Sequence, residues 1–145
     1  MLTLIEGKTR FQLTIKIKDR KAKTVVKAFK KLKLKYPELK DYKIYDIFKS
    51  ITFVNGVKFS SWKEIEKYLK SKTYFAHSYA SCERGSNENG NKLLHIFLPK
   101  GCNINQYGED YVIELINTKI RKILGYKSSL ELFITELDKL TQLTV

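Results

Sequence analysis

A chain of 145 residues has room for one hydrophobic core and is short for two. Two Pro and seven Gly beside 43% hydrophobic residues exclude a low-complexity or disordered chain, and two cysteines without metal-ligand spacing exclude a disulfide framework or zinc site. The net charge of +13 is uneven, with 15 Lys or Arg against five Asp or Glu in residues 1–50 and 13 against ten in 51–145. Such a field attracts a polyanion, but only Arg10, Arg20, Arg84 and Arg121 are the residue suited to bidentate base recognition. Composition therefore points to sequence-independent contact with a nucleic-acid backbone. No apolar run is long enough to span a bilayer and no signal-like segment follows Met1, so the expected location is the cytoplasm, with no membrane partner.

The first elements read as a hairpin. Leu2 to Ile5 and then Phe11, Leu13, Ile15 and Ile17 alternate with polar residues across the turn EGKTR, which predicts a half-buried second strand with a basic outer face. From Ala22 the period changes, with Val25, Phe29, Leu32 and Tyr36 on one helical face and Lys23, Lys27, Lys30 and Lys31 on the other, until Pro37. After the polar stretch YPELKDYKIYD come the strand KSITFV and a turn. A helix capped by Ser61 and Glu64 carries Trp62, Ile65, Tyr68 and Leu69, and TYFA is a further strand. A helix from near Ser86 to Pro99 turns Leu93, Leu94 and Phe97 inward. Another, lined by Ile113, Ile116, Ile120 and Ile123, ends at Gly125, and a last one is capped by Ser128 and Glu131. Strands followed by alternating helix and strand predict an α/β fold in one domain spanning 1–145, a mixed sheet flanked by helices.

Four segments, in order, carry a resemblance to a known family. TLIEGKTRF (3–11) is similar to TLVERKTRF, and ITFVNGVKF (51–59) to ITFDNGKEF. YFAHSYASCERGSNENGN (74–91) is similar to YFAHPYSSWERGSNENGN, and NTKIRKILGYKSSLELF (117–133) to NNRPRKRLGYKTPLEVF. These are segments of insertion-sequence-thirty-type transposases, integrase-core proteins of the DDE superfamily with a ribonuclease H-like three-layer fold. The resemblance implies DNA transposition and integration by phosphoryl transfer, with two Mg²⁺ ions held by two Asp and one Glu.

On that resemblance the catalytic and metal-binding Glu is Glu88, inside the triplet NEN. The second Asp position is occupied by Val54, which offers no oxygen ligand, and Lys58 stands where the family has Glu. Asn55 reads as a turn residue before Gly56. The first Asp belongs to a strand upstream of LTLIE. The expectation is therefore a truncated, degenerate core without its first central strand, unable to transfer strands alone, binding no metal tightly and having no small-molecule substrate.

Nucleic-acid contacts are expected at Arg10, Arg84, Lys92, Lys100, Arg121 and Lys122. DNA is the expected partner, with an intact transposase or a second copy as an additional one. The alternative is a non-enzymatic DNA-binding or interaction protein that pairs with or inhibits an intact transposase, by adding a strand at the slot left by the missing one. A nuclease with relocated acids would need Asp46 beside Glu88, and a nucleophile built from Cys82 and His77 lacks an orienting acid. His77 and His95 lack metal-ligand spacing, and His95 reads as a packing residue.

Overall fold

The computed structural model of the chain describes residues 2–19, 21–35, 47–54, 59–77, 81–99 and 109–142. The chain divides into two compact units, one formed by Met1–Leu2 and Ile15–Arg84 and the other by Thr3–Thr14 and Gly85–Val145. Both contain helix and strand, so the class is α/β as the sequence predicts.

The first unit is a strand–helix–strand arrangement beside a lysine-rich helix. Asp19 starts that helix, α1 (Ala22–Lys35), by accepting the Lys21 N–H at 3.0 Å and the Thr24 hydroxyl at 2.6 Å. Val25, Phe29 and Leu32 are buried while Lys23, Lys27, Lys30 and Lys31 are exposed, as the helical period requires. Tyr36, Pro37 and the linker to 46 lie outside the described residues. Strand β3 (Ser50–Phe53) pairs in parallel with β4 (Lys72–Phe75), Ser50 opposite Lys72 and Phe53 opposite Phe75. A parallel pair needs a crossover, and α2 (Trp62–Leu69) supplies it.

Ser61 is the N-cap of α2, but its side chain makes no capping bond, so the expected capping box is absent there. Its carbonyl instead accepts Glu64 N–H at 3.1 Å and Ile65 N–H at 3.4 Å. Glu66 turns to the strand and accepts Thr73 N–H at 3.2 Å. Lys72 and Ala76 direct their N–H groups to Lys49 and Phe53. Thr73, of opposite parity, faces away from β3, so Glu66 occupies a donor on the outer edge of β4.

The second unit is built on the hairpin of β1 (Leu2–Ile5) and β2 (Gln12–Ile15). Glu6 forms the turn: its carboxylate accepts Lys8 N–H at 2.9 Å, and Thr9 N–H and hydroxyl at 2.6 Å each. The expected basic outer face of β2 is corrected, because Gln12, Leu13, Thr14 and Ile15 are all buried and the exposed lysines begin only at Lys16. The reason is cover on the polar side. Gly90 of α3 (Ser81–Phe97) approaches so closely that a Cβ would collide with Ile5 Cδ1 and lie 3.3 Å from Gln12 Oε1. Asn117 of α4 (Glu109–Thr118) also bonds the Gln12 backbone.

Helix α4 stops at Thr118, which corrects the expected run to Gly125. Arg121 Nη2 takes the Ile116 carbonyl at 2.7 Å, and the Thr118 hydroxyl donates to Glu114 O at 2.7 Å, so side chains satisfy two of the last carbonyls. Ile113 and Ile116 are buried as expected, whereas Ile120 and Ile123 are exposed. A short clip follows, in which β5 (Ile120–Arg121) pairs antiparallel with β6 (Lys127–Ser128) around a 3₁₀ turn at Lys122–Leu124.

The capping box at Ser128 and Glu131 of α5 (Ser129–Gln142) is present. Glu131 accepts Ser128 N–H at 2.7 Å and hydroxyl at 2.8 Å, and Ser128 Oγ accepts Glu131 N–H at 3.2 Å. Phe133 of this helix stacks on Phe11, centroids 4.2 Å apart, and joins the hairpin to the C-terminal helix.

Hydrogen bonds from Ser128 hold Glu131 below its ordinary carboxylate pKa; those from Lys139 and Lys8 do so for Glu136, and those from Thr24 and Lys21 for Asp19. A lowered folded-state pKa contributes stability above the unfolded value that is lost as pH falls through the folded one. Urea midpoints are therefore expected to stay level near neutrality and drop below about pH 4.5, the ordinary Glu range. Ser128→Ala should flatten part of that drop, since Glu131 then loses its main hydroxyl donor.

Candidate functional site

The candidate acid position on the sheet is Val54, directly after β3. It is half-buried, and Phe53 before it is the hub of an aromatic cluster. Phe53 lies 6.2 Å from Phe29, 4.6 Å from Phe59 and 5.7 Å from Phe75, and Phe75 in turn meets Trp62 edge-on at 5.9 Å. Strand β3 thus ends at a packed aromatic residue, and the position that follows carries an isopropyl group. Asn55 and Lys58 lie outside the described residues.

Glu88 is exposed on α3, and among the described residues it has no hydrogen-bond or ion-pair partner. Because α3 begins at Ser81 rather than near Ser86, Glu88 sits two turns inside the helix. That removes the first-turn dipole as a reason for an acid here, since the dipole acts within the terminal turn. The opposite side of the helix does the packing. Ser86 accepts a hydrogen bond from Arg10 Nη1, Gly90 abuts Ile5, Asn91 accepts from Thr3 Oγ1 at 3.4 Å, and Leu94 is buried. Lys92, one turn after Glu88, is also exposed.

The expected nucleic-acid contacts separate into two kinds. Arg10, at a left-handed φ of 60°, spends its guanidinium on Ser86, and Arg121 spends Nη2 on the end of α4. Burial pushes the Arg121 guanidinium below its ordinary pKa, and among the described residues its Nε has no hydrogen-bond partner. Lys92 and Lys122 present exposed ammonium groups. Arg84 lies in α3 without a described side chain, and Lys100 lies outside the described residues, as do Asp46, Ser78 and Cys102.

His95 is exposed rather than packed, its Nδ1 3.2 Å from Leu98 O at the helix end. His77 is exposed as well, and Cys82 lies in α3 without a described side chain. Among the described residues no three His, Cys, Asp or Glu side chains come together as a metal site. Val54, at the strand end, offers no oxygen ligand for a hard cation.

Sequence reasoning missed Asn117. It is buried at 3% exposure, and its amide brackets one residue of β2: Oδ1 accepts Gln12 N–H at 2.9 Å and Nδ2 donates to Gln12 O at 2.8 Å. The available signal was its place at the head of the matched segment NTKIRKILGYK.

An α/β segment with one retained acid in NEN, and a hairpin tied to the helix that carries it, is the class these observations define. The chain is 43% identical over 137 residues to the probable transposase for insertion-like sequence element IS1161 of Streptococcus salivarius, covering 92% of this chain and 36% of that relative. It is 35% identical over 94 residues to the transposase for insertion sequence element IS4351 of Bacteroides fragilis, 63% of this chain and 29% of the relative. To transposase InsI for insertion sequence element IS30A of Escherichia coli (strain K12) it is 26% identical over 133 residues, 90% of this chain and 33% of the relative. No protein-family model matches the chain. The chain is homologous to insertion-sequence-thirty-type transposases along nearly all of its own length, and it spans about a third of the length of these curated relatives. No helix among the described residues is long and apolar enough to cross a membrane.

Proposed function

We propose that residues 1–145 form one ribonuclease H-like, integrase-core-like domain of transposase descent, degenerate in its chemistry, that binds DNA through the backbone and does not transfer strands. The observation that carries this reading is Val54: the residue directly after β3, where the family holds a metal-binding Asp, is a half-buried isopropyl side chain, and Phe53 before it is packed among aromatic rings. Glu88 alone supplies too few oxygen ligands for two metal ions, so no tightly bound Mg²⁺ is proposed. The setting proposed for the protein is the cytoplasm.

Lys92 and Lys122, which are exposed, lead the proposed DNA contacts. Arg10 and Arg121 serve the fold first, and Arg84 and Lys100 complete the proposed set. Phosphate contacts of this kind release counterions, so log K should fall linearly with log salt, with a slope of about −0.9 per phosphate neutralised. Fluorescence anisotropy with unrelated DNA sequences should give affinities equal within about threefold on this backbone mechanism. Salt-independent binding, or strong preference for one sequence, would contradict it.

A second reading, pairing with an intact transposase, is favoured by one observation. Among the described residues β1–β2 and β3–β4 are separate two-stranded sheets. Strand addition would have to avoid the outer edge of β4, where Glu66 already holds Thr73 N–H.

A further inference from the structure

The clip after α4 carries three large apolar side chains in solvent: Ile120 is 65% exposed, Ile123 78% and Tyr126 69%. Interleaved with them are the exposed cations Lys119, Lys122 and Lys127, and residues 119–127 contain no acid. The nearest acid in sequence, Glu131, is engaged by Ser128 in the capping box. Lys119 also lies 5.7 Å over the Phe97 ring, which fixes one flank of the clip to α3.

The backbone holds Tyr126 out. Gly125 and Tyr126 both adopt left-handed φ, 64° and 62°, while Gly125 N–H bonds Lys122 O and Tyr126 N–H bonds Arg121 O, each at 3.1 Å. A tyrosine in this conformation is strained where glycine would be at ease.

We propose that the 119–127 clip binds unpaired DNA bases, with Tyr126 stacking on a base, Ile120 and Ile123 against its neighbours, and Lys119, Lys122 and Lys127 along the phosphates. A single sign of charge selects a polyanion. Protruding apolar side chains gain nothing from phosphates, and a base offers its face only where the duplex is open. The inference rests on the DNA-binding reading above and adds to it a preference for single-stranded or frayed DNA over closed duplex.

The test is anisotropy of the full 145-residue chain with a labelled 20-nucleotide oligothymidine and with a duplex of the same length, at matched salt. The single strand is expected to bind more tightly. Tyr126→Gly, which removes the ring and suits the left-handed backbone, should weaken single-strand binding about tenfold and leave duplex binding unchanged, while Tyr126→Phe keeps the affinity. Urea melts of both variants establish that the fold is retained.

Equal affinity for the two DNA forms, with no effect of Tyr126→Gly, overturns the clip and leaves the backbone-binding reading standing. Equal weakening of both forms also overturns the base-stacking role. Loss of binding to phosphatidylserine vesicles, in place of DNA, would reassign the clip to a lipid surface. If the unmodified chain binds neither DNA form, both readings fail together.

Discussion

Asn117→Ala is expected to lower the unfolding free energy by about 2–5 kcal/mol, because it leaves a buried N–H and a buried C=O of Gln12 unpaired at about 1–3 kcal/mol each. The site cannot recover by admitting water cheaply. Gln12 is 1% exposed and Asn117 3%, with α3 pressed against the hairpin at Gly90. Asn117→Asp separates the two bonds. An ionised carboxylate still accepts from Gln12 N–H but faces Gln12 O, at 2.8 Å in the parent, with no proton to give. Its folded-state pKa must then rise above the unfolded value of about 3.9, so its stability is present in acid and lost as pH rises. Urea denaturation against pH should show Asn117→Asp regaining stability on acidification, opposite in sign to the loss expected for the parent chain. A flat profile, or a cost under about 1 kcal/mol for Asn117→Ala, would show that the amide is not holding the strand.

Phe53→Ala should be as damaging, by about 3–5 kcal/mol. Phe53 is 3% exposed and contacts three rings, Phe29, Phe59 and Phe75, so its removal opens a cavity shared by α1, β3 and β4. At a urea slope of about 2 kcal/mol/M the midpoint moves by about 2 M. Phe53→Leu should show less than half of that loss, since it refills most of the volume. The result bears on the proposed function as well as on stability, because Phe53 immediately precedes Val54 and is packed among aromatic rings.

The elements legible in the sequence were those whose period and caps agree. Val25, Phe29 and Leu32 of α1, and Ser128 with Glu131 at α5, appear as their spacing dictates. Where the reading went wrong, a long-range partner decided. Ile120 and Ile123 continue the helical spacing of Ile113 and Ile116, yet Arg121 folds back on the Ile116 carbonyl and the chain turns into a clip. Gln12 and Thr14 look like solvent-facing positions yet both are buried, Gln12 by the approach of Gly90 and Asn117. Ser61 and Glu64 have capping-box spacing, but the Ser61 carbonyl rather than its hydroxyl meets the first turn.

The candidate site was legible only as motif. NEN and ITFVNG marked Glu88 and Val54, whereas the exposure of Glu88 and the aromatic surroundings of β3 depend on contacts that no local pattern encodes. Family resemblance also drew attention to Arg10 and Arg121 as DNA contacts. Their hydrogen bonds to Ser86 and Ile116 show that a matched cation can be there for the fold.

The most direct test is to incubate the chain with supercoiled plasmid and labelled duplex ends in Mg²⁺ or Mn²⁺, beside Glu88→Gln, and to follow nicking and strand transfer. The expected result is DNA bound but uncut, with the two proteins indistinguishable in the presence of either ion. Cation-dependent nicking or joining that Glu88→Gln abolishes would contradict the account, because it would mean that Glu88 finds the metal ligands Val54 does not supply.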